Sequence, residues 1–296
     1  MRRILKAAAI GILGVVAIVY VAATGFLVYN EDSMVFGGAN LGEDWPFLPP
    51  DTVSIPWDTV RVHAGDGVPV ILLESRVASA SEAPWVVYFH GNGQLLGDEN
   101  SIGRYRLLHG LGLNVLAVEY RGYGVSRSAG PPSEDGIYAD GLAGWTYLTE
   151  QLGVASDRIV LFGMSLGAGV VTHLATRVRP AGLITEGAFT TLPATAQRIY
   201  PWLPISLVMR NRFDNLERAA TFSAPWLLLH SRDDEVVPFS HAEALAEEGR
   251  DVELVELTGS HAGGLLVDEG RARAVVREFL SRVFDSPGAD RFDGPG

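Results

Sequence analysis

Gly163-Met164-Ser165-Leu166-Gly167 joins an apolar run, Arg158-Ile159-Val160-Leu161-Phe162, to a run of small residues, Ala168-Gly169-Val170-Val171. The order reads as strand, sharp turn and helix, with a serine at the turn. A free serine hydroxyl is a poor nucleophile; it becomes reactive when the backbone presents it beside a histidine. A turn this tight needs small flanks. Gly163 and Gly167 supply them, and Ala168 and Gly169 are expected to let the helix pack close to the sheet. Five residues of this pattern are weak on their own, so the context and the partners carry the argument.

On both sides of the turn, apolar runs alternate with helical segments. The runs are Trp85–Phe89, Asn114–Glu119, Arg158–Phe162, Gly182–Thr185, Trp226–Leu229 and Val252–Leu257. Most lack polar alternation, as strands buried on both faces do. The spacing predicts helices near 97–110, 133–152, 166–178, 239–249 and 264–284. This alternation implies an α/β fold: a mostly parallel central sheet, right-handed crossovers and helices on both faces. Before the first run, Thr59–His63 and Val68–Glu74 flank Ala64-Gly65-Asp66-Gly67, a hairpin with suitable turn chemistry. Residues 40–55 read as a proline-rich loop and 77–84 as a polar linker. Residues 188–223 interrupt the alternation and read either as a small cap over a site or as ordinary helix and loop on the sheet. The tail, 285–296, reads as disordered. The expected organisation is therefore an N-terminal segment at 1–29, a catalytic domain at 30–284 and a tail.

The chain of 296 residues is 47% hydrophobic, enough for a large core, and carries a formal charge of −12. With no basic cluster beyond the N-terminus, nucleic acid is an unsuitable partner. There is no cysteine, which removes disulfides, thiolate nucleophiles and cysteine metal sites. Arg2, Arg3 and Lys6 precede an uncharged stretch from Ala7 to Val28, and Glu31, Asp32, Glu43 and Asp44 follow it. As a helix that stretch rises about 33 Å, enough to cross a bilayer core. The charge asymmetry keeps the basic end in the cytoplasm and sends the large domain outside. The expectation is a single-pass anchor in the cell membrane. The alternative is a signal peptide cleaved after Val21-Ala22-Ala23, giving a secreted protein.

A serine nucleophile needs a base, a group that orients the base, and donors for the oxyanion. In a parallel sheet these come from loops at the carboxyl ends of strands. After Trp85–Phe89 comes His90-Gly91-Asn92-Gly93. The backbone amides of Asn92 and Leu166 are the expected oxyanion donors, and His90 reads as a buried strand-end histidine bonded to nearby backbone. After Trp226–Leu229 comes His230-Ser231-Arg232-Asp233-Asp234-Glu235. Asp234 is the chosen acid, Asp233 and Glu235 read as solvated turn residues, and Glu186 is a second possible acid. After Val252–Leu257 comes Thr258-Gly259-Ser260-His261. His261 alone among the histidines follows the acid at a strand end in a glycine-rich loop. The chain order Ser165, Asp234, His261 is that of α/β-hydrolases.

His90–Gly93, Glu119-Tyr120-Arg121-Gly122-Tyr123-Gly124-Val125-Ser126, Gly163–Gly167, Asp234–Pro238 and Gly259-Ser260-His261 resemble the α/β-hydrolase superfamily. More narrowly they are similar to the membrane-anchored Bem46-like serine hydrolases, a group that Glu186-Gly187-Ala188-Phe189-Thr190 and the N-terminal apolar segment also fit. The resemblance spans about residues 28–284. It implies Ser165 as nucleophile, Asp234 as acid and His261 as base. One departure is His230-Ser231 before the acid, where a glycine is common at the second position. Serine at 165 separates the chain from dehalogenases and epoxide hydrolases of the fold, which use aspartate.

The combined expectation is a serine hydrolase acting on an acyl ester, thioester or amide, with a carboxylic ester favoured. No cofactor is expected, and no histidine–carboxylate group has metal-ligand spacing. The expected partners are a small-molecule or lipid-derived acyl substrate and, through the N-terminal helix, a membrane. Trp202 and Leu207, in the apolar and proline-broken stretch 199–209, are expected to wall the acyl pocket. A non-catalytic hydrolase-fold binding protein and a serine peptidase remain alternatives, and nothing in the sequence sets the oligomeric state.

Overall fold

The apolar runs assemble into an eight-stranded sheet in a computed structural model that describes residues 1–41, 55–77, 83–267 and 269–285. The strands are β1 (Asp58–His63), β2 (Pro69–Ser75), β3 (Trp85–Phe89), β4 (Asn114–Glu119), β5 (Ile159–Met164), β6 (Gly182–Glu186), β7 (Trp226–Ser231) and β8 (Val252–Leu257). Their order is β1-β2-β4-β3-β5-β6-β7-β8. β2 runs antiparallel to β1 and β4, and every other neighbouring pair is parallel. This is the α/β-hydrolase sheet. The tail beyond 285, most of the 40–55 loop and the middle of the 77–84 linker lie outside the described residues.

The missing polar alternation has a direct cause. In β3, Trp85, Val87 and Phe89 enter one core while Val86 and Tyr88 enter another; in β5, Ile159 and Leu161 oppose Val160 and Phe162. Side chains alternate across a sheet, so a strand covered on both sides must be apolar throughout. The helices are α1 (Arg2–Val35), α2 (Glu99–His109), α3 (Glu134–Thr146), α4 (Leu166–Ala175), α5 (Leu192–Ile199), α6 (Ile205–Val208), α7 (Asn215–Ala219), α8 (Phe239–Glu248), α9 (Gly264–Val267) and α10 (Glu269–Asp285). α3 and α4 cover the first face, through residues such as Ile137, Leu166 and Val170. α2 and α10 cover the second, through Ile102, Tyr105, Val276 and Phe279. Burying one such aliphatic or aromatic side chain contributes roughly 1.5–3 kcal/mol.

One element differs from expectation. α1 runs past the apolar stretch to Val35, so it crosses the boundary expected at residue 29 and spans about 51 Å. Its last turns dock on the domain. Glu31, buried, accepts the backbone N–H groups of Arg210 (2.8 Å) and Asn211 (2.7 Å). Phe36, just beyond the helix, meets the Phe213 ring edge-on. The apolar part of α1 is long enough to cross a membrane by length and composition and is unburied. Residues 188–223 form α5, α6 and α7 joined by loops, within the readings the sequence left open.

Candidate active site

Parallel register brings the carboxyl ends of β3, β5, β6, β7 and β8 to one edge, and the chemistry-bearing loops leave from there. Ser165 sits between β5 and α4 with φ 50° and ψ −110°, a conformation rare for a residue with a side chain. Holding it costs about 1–3 kcal/mol, which the surrounding packing must offset. A Cβ on Gly163 would come within 2.3 Å of the Gly167 carbonyl oxygen, and one on Gly167 within 2.2 Å of the Phe89 carbonyl oxygen. These two glycines therefore permit the turn and the close approach of helix to sheet. Gly169 serves a different end from the one expected. Its missing side chain makes room for Phe213, whose Cδ1 would lie 2.6 Å from a Cβ there.

His261 Nε2 lies 2.8 Å from Ser165 Oγ, and its Nδ1 lies 2.7 Å from Asp234 Oδ2. A carboxylate only accepts, so Nδ1 carries the proton and Nε2 is left to accept from the serine hydroxyl. Asp234 Oδ1 accepts the backbone N–H groups of Val236 (2.9 Å) and Val237 (2.7 Å). Burial pushes the Asp234 carboxyl up, but the hydrogen bond and charge of His261 with these two amides outweigh it and hold the group below its usual range. Burial lowers the pKa of the neighbouring His230, and its Nε2–H donates to the Val237 carbonyl at 2.8 Å. Asp234 is thus packed against a neutral imidazole on one side and the His261 ring on the other.

The competing acids have other partners. Glu186, buried at the end of β6, takes a two-pronged contact from the fully buried Arg104 at 2.8 and 2.9 Å. The same pair grips the histidine loop, because Arg104 donates to the Ala262 carbonyl (2.9 Å) and Glu186 accepts from Leu265 N–H (3.0 Å). Asp233 is exposed and accepts Gly259 N–H at 3.4 Å, and exposed Glu235 accepts His261 N–H at 3.1 Å. Both acids therefore brace the loop that carries His261, where solvated turn residues were expected. Arg104, one of two arginines on α2, has no sequence signal for this role. Gly187 has one: it follows a strand end and adopts φ +62°, and a Cβ there would lie 2.9 Å from His261 Cε1.

Leu166 is the first residue of α4, where backbone N–H groups have no intrahelical partner. Asn92 follows Gly91, whose Cβ position is 3.5 Å from Ser165 Cβ, and its side-chain Oδ1 accepts from Tyr123 Oη–H at 3.0 Å. Leu166 adjoins the serine in sequence, and Asn92 is two residues beyond His90 at the end of β3. His90 is fully buried, with Nδ1 2.9 Å from the Gly91 carbonyl. Its Nε2 stands 2.9 Å from Glu119 Oε1, at an angle unsuited to a hydrogen bond. Beside Asn92 a cavity of about 200 Å³ opens between α1 and the α5–α6 segment. Leu27, Val28 and Val35 line it from α1, and Ala196, Ile205 and Met209 from the insertion. Trp202 and Leu207 are not in that wall, which corrects the expectation. They are 75% and 84% exposed: Trp202 lies in the turn before α6, and α6 is a single turn that directs Ile205 inward and Leu207 outward.

Known proteins bear on this geometry. A family model described as alpha/beta hydrolase fold matches residues 86–235. A Mycobacterium tuberculosis protein of uncharacterized function is 33% identical over 278 residues, 92% of this chain and 95% of its own length. The lysophosphatidylserine lipase ABHD12 of Danio rerio is 33% identical over 199 residues, 57% of this chain and 51% of that protein. Among solved structures, the Pyrococcus furiosus esterase Pf2001 superposes with a TM-score of 0.68 at 23% identity, over 79% of this chain and 95% of that one. A model matched along half the sequence, and a relative matched over nearly the whole of it, establish that this chain belongs to the alpha/beta-hydrolase family.

Proposed function

We propose that this hydrolase is a serine carboxylic-ester hydrolase working through an acyl-enzyme, with Ser165, His261 and Asp234 as its triad. The observation that carries the reading is the unbroken hydrogen-bond chain from Ser165 through His261 to Asp234, at 2.8 and 2.7 Å. Ser165 Oγ attacks the ester carbonyl carbon as His261 Nε2 takes its proton. The amides of Asn92 and Leu166 receive the charge on the carbonyl oxygen. The intermediate collapses, the C–O bond to the alcohol breaks, and the alcohol leaves with the proton held by His261. Water then attacks the acyl carbon, gives a proton to His261, and the acid departs as that proton returns to Ser165. Asp234 keeps the ring in its tautomer and stabilises the imidazolium at both stages. The lipase and esterase activities named for the similar proteins support an acyl ester as substrate.

The apolar N-terminal helix acts in this reading as an uncleaved single-pass anchor. Arg2, Arg3 and Lys6 stay in the cytoplasm and the hydrolase domain lies outside. The docking of Glu31 and Phe36 on the domain supports retention of the helix.

Covalent labelling by a fluorophosphonate tests the chemistry. Peptide mapping should find the adduct on Ser165, and Ser165→Ala should abolish both labelling and ester turnover. Equal labelling of the Ser165→Ala protein overturns the assignment.

A further inference from the structure

The cavity beside Asn92 has an unusual wall. One side of it is the helix read as a membrane span. Leu27, Val28, Glu31, Met34 and Val35 face it with spacings of one, four, seven and eight residues, a single stripe along α1. The opposite wall is α5 and α6. The stripe cannot slide relative to that wall, because Glu31 and Asp32 are bonded to Arg210 and Asn211. At one end stands Asn92, next to Gly91, where an added Cβ would lie 3.5 Å from Ser165 Cβ. At the outer end the rim is apolar and exposed: Ile199 is 62% and Met34 43% exposed. Trp202 and Leu207 extend this exposed apolar surface along the insertion. A cavity that reaches Asn92, an expected oxyanion residue, and is walled by the end of a bilayer-length helix is placed to receive a molecule from the bilayer.

We propose that the last turns of α1 form one wall of the acyl-binding site, and that this site takes a medium-length aliphatic chain of an amphiphilic ester entering from the membrane surface between α1 and α5–α6. The proposal deepens the serine-hydrolase reading and rests on it for the chemistry. α1 is then a substrate-binding element as well as a tether. The volume bounds the chain. An apolar cavity of roughly 150 Å³ holds a six-carbon ring, so 200 Å³ suits on the order of eight carbons. Each methylene buried in such a site strengthens binding about fourfold. The polar end of the ester stays near Asn92 and Ser165, where the amides and hydroxyl lie.

The test uses the full chain in lipid nanodiscs. Wild type should turn over octanoyl esters with a kcat/KM at least tenfold above that for acetyl esters. Val28→Trp and Ala196→Trp each fill the cavity from one wall, and each should lower the octanoyl-to-acetyl ratio about tenfold or more. Tyr29→Ala, on the exposed side of α1 (88% exposed), should leave the ratio unchanged. A second measurement is independent of turnover and of any one variant. Decanoic acid with a terminal diazirine, photolysed with wild-type protein, should leave adducts within residues 27–35 and 192–209. Adducts elsewhere, or a ratio indifferent to both tryptophans, overturn the proposal. Correct crosslinking without ester turnover or fluorophosphonate labelling would sustain the binding site and sink the serine-hydrolase reading instead.

Discussion

At the scale of single residues, the site depends on which acid holds the imidazole and how closely the ring can approach. Asp234 is buried, accepts two backbone amides and meets His261 Nδ1 at 2.7 Å, whereas Asp233 is exposed and reaches only a loop amide. Asp234→Asn should cut kcat by roughly 10⁴-fold, since an amide at that position favours the wrong tautomer. Asp233→Asn should cost less than tenfold, and steady-state kinetics on one ester should separate the two. Gly187 is the other decisive position. Alanine there would be strained at φ +62° and would press on His261 Cε1. A displacement of the ring by about 1 Å is enough to cost on the order of 10²-fold. Gly187→Ala should therefore lower kcat by about that factor while retaining the fold, as read by far-UV circular dichroism.

Between elements, the Arg104–Glu186 pair ties α2 to the end of β6 and, through Ala262 and Leu265, to the loop and helix that follow β8. Both side chains are buried, so removing one strands the other. Arg104→Met should destabilise by about 3–5 kcal/mol, lowering Tm by on the order of 10 °C. Adding Glu186→Gln removes the stranded charge and should recover much of that loss, which calorimetry of the three proteins will show. The double variant should still show reduced kcat, because its histidine loop has lost the Arg104 bond to the Ala262 carbonyl.

Over the whole molecule, a long helix docks its last turns on an alpha/beta-hydrolase domain. The apolar part of α1 is unburied while its last turns carry buried Glu31 and Val35. If the helix is an uncleaved anchor, carbonate washing should leave the protein in the membrane fraction. Protease added to intact spheroplasts should digest the domain. Release by carbonate would indicate a cleaved signal, and protection from protease would reverse the orientation.

Local pattern was sufficient for the sheet and for naming the residues here proposed to react. Strands covered on both faces must be apolar, and that signature located β3 and β4 to the residue. The elbow, acid and histidine were legible because each occupies a strand end with small or turn-forming neighbours, a demand made by backbone geometry nearby in the chain. Contacts between distant segments left no such trace. Arg104 lies 82 residues from Glu186 and its role appears only when α2 packs under the sheet. The direction of Leu207 depended on the phase of a one-turn helix, which periodicity cannot register over four residues, and that of Trp202 on the turn before it. The cavity wall from α1 joins residues about 170 positions apart. The sequence alone determined which groups are available and in what order. Tertiary packing decided which of them touch, because burial and close approach are set by segments that meet only after the chain has folded.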